Sequence, residues 1–487
     1  MVHPPDQSDV VKARAEKERQ AQGRKAKSQA QARAKAKGKR GQGQKTVELD
    51  SLAQINLNAA GLDIGAAEIW ACVPEERDEV SVRVFKTYTI DLQGLADWLG
   101  ACGVETVAME STGVYWLPVY EILEERGFEV YLVNARHTKN VSGRKTDILD
   151  CQWIQQLHTY GLLRASFQPA EEIATLRAYV RQQQNLIRYR SAHIQHLQKA
   201  LQLMNLQLTQ VISDITGETG LQIIRAIVAG EQDPVKLAQF RNPRCHSSEA
   251  EIAKALQGNY RAEHLFALRQ ALELYDFYTE QIRACDTQLE QQYALFTPQV
   301  DVEAQPLPPR QRRGSPNEPD FDLRTSLYQM TGVDLTRIDG LNTLTVQTII
   351  SEIGLDMSCW PTVKHFTAWL GLAPNNKITG GKVRRRETKK TTNRAATALR
   401  LGAQAVSRSD SALGAFYRRK RAQLGAPKAI TATAHRIARI IYVMLKNKTE
   451  YHDPGADYYE EQHRQRAIAN LKRKAKKLGL EVVSAAA

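Results

Sequence analysis

Between Ala59 and Val133 the chain reads as five short apolar runs in an order that few folds can hold. The first three follow one another directly, and each of the last two is preceded by a helical stretch. Ala59-Ala-Gly-Leu-Asp-Ile-Gly65 reads as a buried strand closed by glycine, and Glu68-Ile-Trp-Ala-Cys-Val73 as its hairpin partner. Val80-Ser-Val-Arg-Val-Phe85 alternates as a third strand. A helix around Leu92–Leu99 precedes the strand Glu105–Met109, and a helix over Trp116–Glu125 precedes Phe128–Val133. Strands joined directly pair antiparallel, whereas a crossover helix returns the chain to a parallel strand, so this order predicts a mixed sheet. A helix from about Ile148 to Leu162 closes the unit.

That order, βββαβαβα, is the one found in ribonuclease-H-like sheets. Beyond it the pattern changes. Leu176, Val180, Ile187, Ile194, Leu197, Leu201, Met204, Leu208 and Val211 fall on alternating three- and four-residue steps from Ile173 onward, interrupted only by Gln183 and Arg190. The repeat predicts a long coiled-coil helix in which polar seam residues fix register, and a helical hairpin that also dimerises. A helix packed inside its own chain, against Leu265–Tyr278, gives a similar pattern. Five prolines and a basic Arg310-Gln-Arg-Arg-Gly mark Gln299–Asp322 as a linker. The expected organisation is a disordered basic arm (1–54), an α/β domain (55–165), a helical coiled-coil region (166–298), the linker (299–322), a C-terminal domain (323–450), and a polar tail (451–487) with a basic helical patch at Leu471–Lys477.

The net charge of +14 is concentrated in two places. Val10–Lys45 holds thirteen Lys/Arg against two acids, and Lys377–Lys428 holds fifteen against two, so the remainder is acidic on balance. Charge gathered in this way predicts contact with a polyanion, driven by counterion release, although a solubilising arm gives the first block equally well. No apolar run is long enough to span a bilayer, the N-terminus has no apolar core of a secretory signal, and six scattered cysteines form no CxxC pair. Reduced thiols and a cytoplasmic, nucleoid-associated location are expected, with no membrane partner.

Asp63 stands inside an apolar strand between Leu62 and Ile64, where a carboxylate costs desolvation energy unless something positive compensates it. Glu110 ends the strand Val107-Ala-Met109, at the edge where open α/β sheets gather their sites. Asp147 and Asp150 are three apart at the start of a helix and project from one face. Carboxylates converging at one sheet edge repel one another, and hard divalent cations such as Mg²⁺ or Mn²⁺ relieve that repulsion. Taken singly, an Asp at a strand end is a common turn former and Asp147 a common helix cap.

Gly61-Leu-Asp-Ile-Gly65, Met109-Glu-Ser-Thr-Gly-Val-Tyr115 and Arg144-Lys-Thr-Asp-Ile-Leu-Asp150 resemble the motifs of the DEDD transposases of bacterial insertion sequences. The resemblance extends over roughly residues 55–450. It implies an N-terminal domain like the RuvC Holliday-junction resolvase and a helical C-terminal transposase domain, thus α/β followed by all-α. It also implies recombination of donor and target DNA guided by a structured non-coding RNA, in a homodimer or tetramer. Carried over residue by residue, Asp63, Glu110, Asp147 and Asp150 are the metal-binding tetrad. Ser111 and Thr112 follow Glu110 directly, and Lys139, Arg144 and Lys145, in and after the loop His137–Asn140, are expected to hold phosphates.

In the C-terminal half, Ile338-Asp-Gly-Leu-Asn-Thr begins a glycine turn and an amphipathic helix. It reads either as the hairpin of a helix-hairpin-helix motif, with amides free for a DNA phosphate, or as a structural αα-turn. Asn375–Arg384 reads as a polar loop with paired glycines. The family carries there a serine that attacks DNA and forms a covalent 5′-phospho-enzyme link. This chain has Thr379 instead. A threonine nucleophile, an impaired copy, and attack by another hydroxyl such as Ser407 or Ser409 are the three readings. Lys377, Lys382 and Arg384 would neutralise the phosphate, with Arg385 and Arg386 beside them, and Arg394, Arg418 and Arg419 are further nucleic-acid contacts. Two alternative functions are a hydrolytic Holliday-junction-type nuclease that uses the tetrad alone and a non-catalytic nucleic-acid-binding derivative.

Overall fold

The computed structural model describes residues 53–110, 113–134, 147–310, 314–380, 382–385, 387–389 and 391–483. Ser111, Thr112, the loop 137–140, Lys139, Arg144, Lys145 and Arg386 lie outside them, as does the basic arm apart from its last two residues. The chain divides between Phe167 and Gln168 into two compact units.

The first unit is built on strands β1 (Ala59–Ile64), β2 (Glu68–Cys72) and β3 (Val82–Lys86), followed by α1 (Thr89–Ala101), β4 (Thr106–Glu110), α2 (Trp116–Glu125), β5 (Glu129–Val133) and α3 (Asp147–Thr159). The sheet order is β3-β2-β1-β4-β5. β1, β2 and β3 pair antiparallel, and β4 and β5 add parallel to β1 after their crossover helices. Alternation along each strand splits the core in two. Ala60, Leu62 and Ile64 join Val107 and Met109 in a cluster that packs on Leu92, Leu95 and Leu99 of α1 and Val119 and Leu123 of α2. Ala108 and Val133 face the other way, onto Ile154 and Leu157 of α3. The end of α3 is closed by the chain that leads into β1: the backbone amides of Ile55 and Asn56 donate to the Thr159 carbonyl, and the Asn56 side chain donates to that of His158. His158 is buried against the Tyr131 ring. Thr106 Oγ1 donates to the Glu129 carbonyl, so it accepts from His158 Nε2, 2.8 Å away.

In the second unit, α4 (Glu171–Leu203) runs along the partner helix Ala262–Ala294. Four short helices join them: α5 (Leu208–Val211), α6 (Glu218–Val228), α7 (Pro234–Ala238) and α8 (Glu249–Ala255); the partner helix is α9. The two residues that break the apolar stripe both find partners within the chain. Gln183 is buried and donates to Asp286 of α9, while Arg190 reaches Asn317 and lies over the Tyr275 ring. The repeat does not continue as one helix to Val211, as the spacing predicts: α4 stops at Leu203. Asn205 takes a left-handed conformation (φ 57°), and the amide of Asn259 holds the Met204 carbonyl. The apolar spacing survives because Leu208 and Val211 turn back onto the same core as Leu197 and Leu201.

The described part of the expected linker has neither helix nor strand but is tied down, Arg310 pairing with Glu318 and Arg324 donating to the Pro308 carbonyl. Then come α10 (Leu323–Thr331), α11 (Thr343–Ile353), α12 (Val363–Trp369), the hairpin β6 (Lys377–Thr379) and β7 (Lys382–Arg385), α13 (Arg394–Ala405), α14 (Ala412–Leu424), α15 (Ala426–Asn447) and α16 (Gly455–Lys477). α4 is fastened to the C-terminal end of α11. Arg177 donates to the Ser351 and Glu352 carbonyls, and Arg181 forms a two-pronged pair with the Glu352 carboxylate at 2.8 and 2.9 Å. Cations at a helix C-terminus satisfy its last carbonyls and oppose its dipole.

Burial lowers the His158 pKa to about 4, against an ordinary value near 6.5, because the charged imidazole would lose its water. Between those values the unfolded chain takes up a proton that the folded one refuses, so stability falls as pH drops through the window, by up to about 1.4 kcal/mol per pH unit. Hydrogen-exchange protection of α3, corrected for intrinsic exchange, should decline with this slope from pH 6.5 to 4. In His158→Gln the slope should be shallower; an unchanged slope would assign the acid sensitivity elsewhere.

Candidate active site

Gly61 sits where α3 crosses β1. A Cβ built there would collide with the backbone nitrogen of Gln155 and the carbonyl of Cys151, so the helix lies directly on the strand only because the side chain is missing. Residues two apart on a strand share a face, and Asp63 therefore points to the α3 side, as Gly61 does. On β4, Ala108 packs against α3 and Glu110 follows two residues later on that same face. The parallel register pairs Leu62 with Met109, which brings Asp63 and Glu110 side by side one step further on. Asp150 lies on the first turn of α3, one residue before the Cys151 that touches Gly61. Glu110 is 9% exposed, whereas Asp63 and Asp150 are half-buried.

Three of the four expected carboxylates thus belong to one face of the sheet and the helix start above it. Asp147 opens that helix, and its side chain lies outside the description. Among the described residues no three acidic, histidine or cysteine side chains come close enough together to enclose an ion. The donor set is all carboxylate oxygen, which fits a hard divalent cation rather than a soft one. Two thiols stand beside it. The neighbouring Cys72 thiol, burial and the charge of Asp63 all push the Cys151 thiol up, so it remains protonated, with the Ile148 carbonyl as acceptor for its one proton. Both thiols are buried.

Asn375–Arg384, expected as a loop, contains a β-hairpin. Thr379 pairs with Lys382 across a tip begun by Gly380, whose φ of +56° suits a glycine. The strands form because Ile378 and Val383 alternate with polar residues around that turn. Thr379, Lys382 and Arg384 are exposed on it; of Lys377 and Arg385 only the backbone is described. Ser409 is engaged elsewhere: its hydroxyl bonds to Ser411 at 2.6 Å and to Asp339, within the cap of α14. Several expected nucleic-acid contacts already have internal partners. Arg394 donates to Gln184, Arg418 to the Ser409 carbonyl, and Arg419 pairs with Glu460. The turn at Gly340 packs on the backbone of Gly402 in α13, and Asn342 caps α11 by accepting from the Thr345 amide. Packing and a self-made cap hold this turn, an arrangement compatible with both readings of the sequence.

Residues 60–206 match the family model described as a transposase of the DEDD type. Residues 334–418 match a second one, described as the transposase IS116/IS110/IS902 family. The chain belongs to the DEDD transposases of insertion sequences. No curated protein matches it. DNA is the substrate on which transposases act, and transposases of this type are generally dependent on a divalent metal. The first match takes in the sheet, α3 and the whole of α4, so it contains all four acids. The second takes in the β6–β7 hairpin and ends within α14, leaving α15 and α16 of the transposase outside both.

The residue that sequence reasoning passed over is Gly61 itself. A glycine in the middle of an apolar strand was the available signal, since it marks the close approach of another backbone. In the transposase, Gly61→Ala should displace α3 and with it Asp150. Overpacking of this kind costs about 1–3 kcal/mol. DNA cleavage should fall by more than the modest drop in melting temperature explains. Full cleavage activity by Gly61→Ala would separate the α3 contact from the site.

Proposed function

We propose that this transposase recombines DNA through a divalent-metal site held by Asp63, Glu110, Asp147 and Asp150, with Thr379 as the attacking hydroxyl. The observation that carries the reading is the common face of Asp63 and Glu110 beneath the start of α3. A sheet of order β3-β2-β1-β4-β5 with its first three strands antiparallel supports a RuvC-like, ribonuclease-H type of first unit. Bound by these carboxylates, Mg²⁺ or Mn²⁺ would polarise a phosphodiester and stabilise a leaving oxygen.

The remaining roles belong to the chain. The carboxylates hold the cation, and the burial of Glu110 keeps one of them from wandering into solvent. Thr379 stands exposed at a hairpin tip, where its hydroxyl can reach a backbone phosphate. Its attack forms an oxygen–phosphorus bond and breaks the bond to the 3′ oxygen. The threonine proton is lost, the 3′ hydroxyl regains one, and the 5′ phosphate stays on the protein. One phosphodiester replaces another, so rejoining needs no outside energy source. Lys382 and Arg384 on β7 supply positive charge beside it. A non-coding RNA guide would occupy further basic surface. Exposed Tyr189 on α4 and Phe266, Leu274 and Phe277 on α9 support a coiled-coil contact with a second copy in a dimer or tetramer.

With purified protein, RNA, donor and target DNA, and Mg²⁺, Asp63→Ala or Glu110→Ala should reduce recombination by about a hundredfold or more while DNA binding persists. Wild-type rates in these variants would end the metal reading. Thr379→Ala should abolish covalent protein–DNA adducts, and Thr379→Ser should keep or increase them, since serine lacks the crowding methyl. Adducts formed by the alanine variant would move the nucleophile to another hydroxyl.

A further inference from the structure

Helix α16 is built in two parts. Its acids, Asp457, Glu460 and Glu461, all lie in the first two turns, and residues 464–477 carry seven Lys/Arg and no acid. The first part is anchored. Tyr459 meets the Phe416 ring edge-on at 6.0 Å, Arg436 of α15 lies over both rings at 5.1 and 5.5 Å, and Glu460 pairs with Arg419. The second part buries no side chain. Among the described residues, Lys472, Arg473, Lys474, Lys476 and Lys477 make no ion pair. Acids in the first two turns of α16 and cations in its last turns both oppose the helix dipole, which favours the helix even where it buries no side chain.

We propose that residues 464–477 form a sequence-independent grip on the phosphate backbone of duplex DNA. The inference rests on DNA as the transposase's substrate, but on neither the metal nor the threonine chemistry. Fourteen helical residues span about 20 Å, and the segment is slender enough for a major groove about 12 Å wide. At 100° per residue, the cations spread over most of the circumference and reach phosphates on both sides. Ile468, Leu471 and Leu478 make a narrow exposed stripe between them. Four of the seven cations are lysines, point charges that position without reading bases. A membrane surface fits less well, since residues 464–483 contain no Trp, Tyr or Phe to anchor in a lipid interface.

The test uses the full chain and a duplex of unrelated sequence in EDTA, with anisotropy measured over a salt series. A variant carrying Gln at 472, 473, 474, 476 and 477 should lose about tenfold or more in affinity, and its log K against log salt slope should be shallower by about 3 to 4. Lys→Arg at the four lysines should preserve both, as should Ile468→Ser with Leu471→Ser. An unchanged slope in the Gln variant overturns the proposal. So does a loss confined to an RNA hairpin, or one seen only in binding to phosphatidylserine vesicles.

Discussion

The site depends on one close contact, between the backbone of β1 at Gly61 and that of α3 at Cys151 and Gln155. Helices ordinarily stand off a sheet by the thickness of the side chains between them. Removing one side chain lets α3 settle onto the strand that carries Asp63. Everything else on that face follows from strand alternation: Ala108 packs, Glu110 projects, and the first turn of α3 brings Asp150 to the same edge. The far end of the helix is fixed independently by Ile55 and Asn56 at the Thr159 carbonyl and by His158 on Thr106. A helix pinned at its end and seated on the strand has little freedom to move its first turn, where Asp150 stands.

The second unit solves a different problem. Two helices of 33 residues each make a hairpin too narrow to bury a large core of its own. Its stability comes from the ends and the seam. At one end α5 to α8 close over Leu197, Met204 and Leu268, and at the other Arg177 and Arg181 clasp the terminus of α11. In between, the Gln183–Asp286 contact sets register. A polar pair half-sheltered from water contributes less to stability than an apolar one, but it penalises every slipped pairing. Where the C-terminal helices carry positive charge, much of it is already spent on internal contacts, as at Arg394, Arg418 and Arg419.

The strands and helices of the first unit were legible because their periods are strong and their breaks are marked by glycine, and Asp63 and Glu110 stood out because a carboxylate within an apolar strand is conspicuous. Three things were not. The hairpin around Thr379 hid behind a polar composition, since exposed strands carry little apolar signal. The end of α4 was masked because residues after the turn return to the same core and preserve the spacing. The engagement of arginines by internal acids and carbonyls depends on partners from 9 to 210 residues away, such as Gln184 for Arg394.

By itself, then, the sequence determined which residues are acidic, basic or apolar and on which face of each strand or helix they fall, because those follow from local period and chirality. Only the tertiary structure decided which of those faces meet. It brought β1 and β4 into register, seated α3 on Gly61, and separated the arginines that hold the fold from the lysines of α16 that it leaves to solvent. Register and helix seating are set by backbone contacts between segments distant in the chain, and a one-dimensional pattern does not contain them.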